Sequence, residues 1–542
     1  MPCSAGEGAA PVNSFAARLD AIFDPLDTTR APGGSVAVEI DGRVVYSRGF
    51  GVASMESGLA NTVRIRGRIG SITKQFTCLA AMLLAEDGLL DVDAPLRRWI
   101  PELHPELPPV TPRQAMNHTA GLRCWVDLLL VSSGMLANFP EPEVLPLIAR
   151  QRGTQFEPGS RFLYSNTGAR LLTLLIERVS GKSYEAFLRE RIFAPLRMLD
   201  TCLPRNEFDM LPALASPHLA TGQGFFRGMM PGTVLGEGGL VSTVHDLVRW
   251  TAFLRDPHIG NAATWRAMLE PPHFPQGEGG TYGLGLVDEL HRGTRVLHHA
   301  GAVIGANSQM LVAPEHKLGL AILVNRSDLS ATELGWKVLD TMLGEMLLPA
   351  EPMATGCAGK ATGFYVHAGS GRTMALEVVD ECLCFDHQSQ YAPLAVDGDA
   401  FVLKQIGFKP IPLKIVGDAV LLFEQPGAAW RFDRKTPVDG LPWLSRMSGR
   451  YFSVETDAEI RVHADGPAQL EMRGPYGRSV WRLEALDTGS RKPDELPEFW
   501  LLRPLGPAPV RWIAMRLIVR DGAAVAVEIN TPRTWALHFE RI

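Results

Sequence analysis

The sequence predicts an α+β fold: an antiparallel sheet flanked by helices, followed by two small antiparallel β-barrel domains. Three observations predict it. The chain has 542 residues, more than one ordinary core accommodates, so several domains are expected. Up to about residue 348, helical periodicities stand between strand-like runs gathered near both ends of that region, the pattern of one unit whose sheet joins early and late strands. From residue 349 on, strand-like runs separated by Gly, Asp and Pro turns dominate, as in barrels or sandwiches. The expected units are 1–348, 349–441 and 442–542.

Composition narrows the function. Hydrophobic content of 46% and charge of 21% are those of an ordinary globular chain. The net charge of −6 carries no basic stripe, which argues against nucleic acid. No apolar run is long enough to span a bilayer, and Met1-Pro2-Cys3-Ser4-Ala5-Gly6-Glu7 lacks the basic start and apolar core of a signal peptide, so a cytoplasmic protein is expected. The seven cysteines are scattered without a Cys-x-x-Cys pair, and the histidines lack metal-ligand spacing. Reduced, mostly buried thiols and no metal are the reading.

Residues 14–30 read as an amphipathic helix through Phe15, Leu19, Ile22 and Phe23. Asp41-Gly42 between Ser35–Ile40 and Val44–Ser47 is a hairpin signal. Next comes Arg68-Ile69-Gly70-Ser71-Ile72-Thr73-Lys74-Gln75-Phe76. Apolar residues at Ile72, Phe76, Leu79, Ala80 and Leu83 carry the period of a half-buried helix, and Gly88 sits where it stops. Ser71 and Lys74 share a face, with Ser71 in the first turn, where free N–H groups stabilise negative charge. A serine becomes a nucleophile when a neighbour takes its proton, and a desolvated lysine can assist.

A short helix, Pro112 to Asn117, runs into the turn His118–Leu122, where His118 reads as a buried residue holding the loop. Phe156-Glu157-Pro158-Gly159-Ser160 leads to Tyr164-Ser165-Asn166, ahead of a helix with Leu171, Leu172, Leu175 and Ile176. Tyr164 and Asn166 are two apart, so extended chain projects them to one side. A phenol beside a lysine is a candidate general base. Gly236-Glu237-Gly238-Gly239 lacks phosphate-loop spacing and reads as backbone in close approach at a pocket wall. Tyr282–Leu286 opens a strand, Arg295–Leu297 runs into His298-His299-Ala300-Gly301-Ala302, and two further strands precede a helix from Ala331 to Leu347. His298 and His299, as strand neighbours, face opposite ways. The barrels carry a weak repeat: Thr362-Gly363-Phe364-Tyr365 matches Ser448-Gly449-Arg450-Tyr451, and Trp430–Arg434 matches Trp535–Arg541. The second copy has extra material around Gly474–Gly477 and Gly489–Pro493.

Ser71-x-x-Lys74, Tyr164-x-Asn166 and His299-x-Gly301 are weak signals singly. As an ordered set, over residues 14–347, they resemble the serine hydrolases of the penicillin-binding protein and class C β-lactamase superfamily (peptidase family S12). His299-x-Gly301 stands where many members have Lys-Thr-Gly. With two trailing barrels, the chain is similar to the D-stereospecific aminopeptidases of that superfamily.

The resemblance implies a β-lactamase/transpeptidase-like catalytic domain without metal or cofactor. It implies that Ser71 forms an acyl-enzyme and that Lys74 and Tyr164 share the proton relay, Tyr164 as the base. His299 would hydrogen-bond Tyr164 or polarise the site. Asn166 would hold Lys74 or the substrate amide, and the N–H groups of Ser71 and Ala302, beside Gly301, would form the oxyanion hole. It also implies a loop from the last barrel reaching the site. The matching stretch is read as Arg473 to Trp481, which brings Arg473 and Arg478 and no acid, suiting a substrate carboxylate or a blocked amine. Glu237 is the alternative source of negative charge for an α-ammonium. The expected activity is release of N-terminal D-residues from small peptides, amides or esters, by a homodimer. The alternatives are an esterase, β-lactamase-like or D-amidase hydrolase, or a binding or sensing protein that has lost turnover.

Overall fold

The computed structural model describes residues 12–133, 141–204, 206, 209–230, 233–274, 277–278, 280–355, 361–386, 391–398, 400–404, 409–425, 428–475, 477–487, 495–506 and 510–542. The N-terminal heptapeptide read above, Tyr476 and Gly489–Pro493 lie outside the described residues.

Helix α1 (Val12–Phe23) leads to the strands β1 (Gly34–Ile40) and β2 (Arg43–Phe50). Asp41 at φ +52° and Gly42 at φ +79° supply the two left-handed residues that a tight hairpin turn requires. Helix α2 (Thr73–Glu86) follows a single 3₁₀ turn, Gly70–Ile72. Then come α3 (Trp125–Ser133), α4 (Asn166–Ser180) and α5 (Val244–Arg255). The strands β3 (Val287–His291), β4 (Thr294–Val303), β5 (Ala306–Ala313) and β6 (Leu318–Val324) precede α6 (Ala331–Leu343). Tyr282–Leu286, expected to open a strand, is irregular chain ahead of β3, because Gly285 at φ +77° turns the backbone.

The six strands form one antiparallel sheet in the order β3-β4-β5-β6-β1-β2. Its early and late strands meet from Gly34 opposite Val324 to Ile40 opposite Leu318. Both faces are covered, and the side chains alternate between them. Val36, Val38, Leu320 and Ile322 share a core with Phe23 of α1 and Val338 of α6. Ala37, Ala321 and Leu323 share the opposite core with Phe76 and Leu79 of α2 and Trp250 of α5. Burial of each large aliphatic side chain contributes roughly 1.5–3 kcal/mol.

Helix α2 is buried on all sides from Thr73 to Leu84, not half-buried as its periodicity suggested. Small residues at Cys78, Ala80 and Ala81 complete an apolar circumference that only a central helix carries. At its end, Gly88 donates to Ala85 O (3.0 Å) and Leu89 to Leu84 O (2.9 Å), with Gly88 at φ +73°, the two bonds of a Schellman stop.

From Gly363 on, the described strands close two rings of eight. In the first, Gly363–Val366 pairs with the last strand, Ala428–Asp439. In the second, Gly449–Ser453 pairs with Leu537–Arg541, and Gly477–Asp487 with Phe499–Pro504. The rings join where Thr436–Asp439 pairs with Glu484–Asp487. The repeat in sequence is a repeat in structure: Tyr365 donates to Ala361 O (2.6 Å) and Tyr451 to Met447 O (2.7 Å), each four residues back. Among the described residues, no helix is long and apolar enough to cross a membrane.

Candidate active site

Ser71 lies in the 3₁₀ turn that starts the buried helix α2. Gly70 sits at φ +50°, and a Cβ there would come within 2.5 Å of the Ala302 nitrogen, so only glycine lets the turn lie this close to β4. Ser308 of β5 donates to Ile69 O (2.8 Å) and pins the same turn to the sheet. Gly301 and Ala302, on β4, therefore line the serine, and Ala302 is exposed.

Lys74 is 1% exposed. Its Nζ donates to Ser71 Oγ (3.0 Å), Asn166 Oδ1 (2.8 Å) and the backbone oxygen of Glu237 (2.5 Å). Three acceptors match the three N–H groups of an ammonium. Asn166 opens α4, where Ser165 caps the helix by accepting from Thr167 N. The glycine-dense stretch packs closely against α4 and α2, since a Cβ on Gly236 would meet Thr173 Oγ1 of α4 at 2.3 Å and Thr77 Oγ1 of α2 at 2.9 Å. That approach brings the Glu237 carbonyl to Lys74.

Tyr164 presents its ring to Lys74, with Nζ 4.8 Å from the centroid. Its hydroxyl is buried and has no hydrogen-bond partner among the described residues. The His118 ring lies 4.1 Å away, centroid to centroid, at 36°. His118 is the buried loop-holding residue expected, at φ +60°, and it also supports the candidate base.

His299 does not hydrogen-bond Tyr164. Its Nε2 lies 2.9 Å from the hydroxyl of Tyr282, and its ring centroid is 6.4 Å from that of Tyr164. The protons of this wall follow from the acceptors. Ser165 N–H donates to His118 Nδ1 (3.3 Å), so His118 carries its proton on Nε2 and donates to the Tyr282 oxygen (3.2 Å). His299 Nδ1 faces Ala300 O (2.5 Å), so it is protonated there, and Nε2 accepts from Tyr282 O–H. Burial, with the Lys74 charge second, lowers the pKa of both imidazoles, that of His299 to about 3. Adjacent His298 faces the other side, with Nε2 3.1 Å from Glu289 and its ring against Trp336.

The substrate-side expectations need correction. Glu237 is 2% exposed, and its carboxylate pairs with Arg170 at 3.3 Å, so only its backbone oxygen faces Lys74. Arg473 and Arg478 sit opposite each other on a barrel hairpin, exposed, and both approach Glu471. A barrel segment that reaches the site is 531–535. Arg533 places its guanidinium 5.0 Å from the Tyr164 centroid. Buried Asp127 of α3 holds this loop, accepting from Thr531 Oγ1 (2.6 Å) and Arg533 N (2.9 Å), while Cys124 N donates to Thr534 Oγ1 (3.2 Å). A second tie between the units is Arg123–Glu455 at 3.1 Å.

Tyr282 and Arg533 escaped the sequence reading. Tyr282 had a local signal, an aromatic ahead of Gly283-x-Gly285; Thr531-Pro532-Arg533-Thr534-Trp535 reads only as a turn between strands. Among the described residues, no cluster of metal-ligating side chains is present.

A sheet covered on both faces, with a serine and a buried lysine at the start of its central helix, is the arrangement of a serine hydrolase. The chain belongs to the Beta-lactamase family, whose model matches residues 19–342. A D-aminopeptidase of Cereibacter sphaeroides is 25% identical over 535 residues, covering 94% of this chain and 96% of its own. The octameric penicillin-binding protein homologue from Pyrococcus abyssi shares 26% identity at a TM-score of 0.55, covering 78% of this chain and 98% of its own. The D-amino acid amidase from Ochrobactrum anthropi, complexed with L-phenylalanine amide, shares 27% identity at a TM-score of 0.52, covering 62% of this chain and 99% of its own.

Proposed function

We propose that this serine hydrolase releases N-terminal D-amino acids from small peptides, amides or esters through an acyl-enzyme on Ser71. The carrying observation is the Lys74 ammonium held on Ser71, Asn166 and Glu237 O beside a buried, unpartnered Tyr164 hydroxyl. The D-aminopeptidase relative over nearly the whole chain and the D-amino acid amidase likeness support the substrate class.

In this reading Ser71 Oγ attacks the carbonyl carbon, and its proton passes to the Tyr164 oxygen. Lys74 is already committed to three acceptors, so its part is to hold Ser71 and the charge of Tyr164 in place. The N–H groups of Ser71 and Ala302 receive the oxyanion; one such donor is worth on the order of 100- to 1000-fold in turnover. The C–N bond breaks, and Tyr164 returns the proton to the leaving amine. Water then hydrolyses the Ser71 ester by the reverse relay. His299 acts at one remove, by holding Tyr282 and through it His118, against which Tyr164 stacks.

A second reading, a D-selective amidase of substrates with a blocked amine, is favoured by one observation: the Glu237 carboxylate is taken by Arg170. Turnover of D-alanine p-nitroanilide, its L-enantiomer and its N-acetylated D-form separates the two. Preference for the free D-amine supports the aminopeptidase; equal use of the acetylated form supports the amidase; rates retained in Ser71→Ala would sink both. A homodimer is the proposed assembly, to be measured by light scattering.

A further inference from the structure

The barrel loop at 531–535 brings a cation to the site without bringing its counter-ion. Among the described residues, no carboxylate lies within salt-bridge distance of the Arg533 guanidinium; buried Asp127 acts on its charge from beyond that distance. Asp127, whose charge acts on Arg533, accepts at Oδ2 from the Thr531 hydroxyl and from the Arg533 backbone N–H. Glu455 is taken by Arg123 and Glu424 by Arg372. A second arginine, Arg161, rests half-buried against Trp430 at 5.0 Å, with no bonded acid among the described residues. Arg372, 4.6 Å from Trp535, connects that cation to the same loop.

A guanidinium kept at the edge of a partly dry site, with no carboxylate bonded to it among the described residues, is matched to a planar anion that arrives from solution. Its position says which part of the substrate carries the anion. The leaving nitrogen must come to the Tyr164 oxygen to receive its proton. In an α-amino-acid leaving group, the carboxylate is separated from that nitrogen by one carbon. Arg533 stands over the Tyr164 ring, within reach of such a group.

We propose that Arg533 is the receptor for a free carboxylate on the leaving group, so that the preferred substrates are short peptides whose second residue is C-terminal. The proposal rests on the D-aminoacyl reading above and adds the leaving-group side to it. Lys74 and Asn166 then serve the acyl side, and the barrel loop serves the leaving side.

The experiment compares kcat/KM for D-alanyl-glycine and D-alanyl-glycinamide, which differ only in that carboxylate, with D-alanine p-nitroanilide as the reference. The native enzyme is expected to prefer the acid by about 10- to 100-fold, chiefly through KM, the range of a hydrogen bond to a charged group. In Arg533→Met the preference collapses toward one, and in Arg533→Lys part of it returns. Thermal melting checks that both variants are folded. The proposal is overturned if the native enzyme turns over the p-nitroanilide yet shows no preference for the acid. Equal losses on acid and amide in Arg533→Met overturn it as well, because they place the arginine's effect on Tyr164 alone. No turnover of any of the three fells the D-aminoacyl reading itself, and the proposal with it.

Discussion

The hydroxyl of Tyr282 lies 2.9 Å from Nε2 of His299, and that contact orders every proton in the wall beside Tyr164. It leaves the Tyr282 oxygen free to accept from His118 at 3.2 Å, and both imidazoles stay neutral. Tyr282→Phe removes both bonds and leaves two buried ring nitrogens unpaired. The expected cost is about 1–3 kcal/mol of stability per orphaned group. Because Tyr164 rests on His118, kcat should fall with little change in KM. Denaturant titration and steady-state kinetics check the two effects.

The same histidines set a pH dependence of stability. Both have folded pKa values below the unfolded value near 6.5, His299 at about 3. The unfolded chain therefore binds protons that the folded chain refuses, and stability falls as pH drops from about 6.5 toward 3. Each histidine contributes a slope of up to roughly 1.4 kcal/mol per pH unit in that window. Chemical denaturation between pH 7 and pH 4 measures it. His299→Asn should flatten the slope by one histidine's share; an unchanged slope would show that His299 titrates normally in the folded protein.

Glu237 is a structural acid. Its pair with Arg170 is buried on both sides, at 2% and 6% side-chain exposure. Glu237→Gln removes the carboxylate that pairs with buried Arg170, and the expected loss is about 3–5 kcal/mol of stability. KM for a free D-amine relative to its acetylated form should not change, since the carboxylate does not face the serine. A selective rise in KM for the free amine would return Glu237 to ammonium recognition.

Gly70→Ala tests the oxyanion hole without removing a polar group. The new methyl would meet the Ala302 nitrogen at 2.5 Å, at a backbone angle that alanine resists. Relief requires the serine turn and β4 to separate, which misplaces one donor. A fall in kcat on the order of 100- to 1000-fold is expected, with a modest loss of stability. Native turnover in a folded G70A protein would remove Ala302 N–H from the hole.

Local pattern made much of this legible in sequence. The Asp41-Gly42 hairpin, the stop at Gly88 and the opposite facing of His298 and His299 are set by neighbours within a few residues. The barrel repeat was visible because each copy spends the same tyrosine on the same backbone bond. Helix α2 was misjudged in degree, because the periodicity of one segment does not report how many layers will cover it.

The sequence by itself determined the order Ser71, Lys74, Tyr164, Asn166, His299, and with it the family and the class of chemistry. Only the tertiary structure decided what each group touches. It sent His299 to Tyr282, turned the Glu237 carboxylate to Arg170, set Arg473 and Arg478 exposed beside Glu471, and brought in Arg533 from a turn between two barrel strands. The physical reason is range. Helix periods, turns and caps are settled by contacts a few residues apart, whereas Arg533 meets Tyr164 across 369 positions of chain. That meeting depends on how a whole barrel docks, through Asp127 and the Arg123–Glu455 pair, and no local pattern in the chain encodes it.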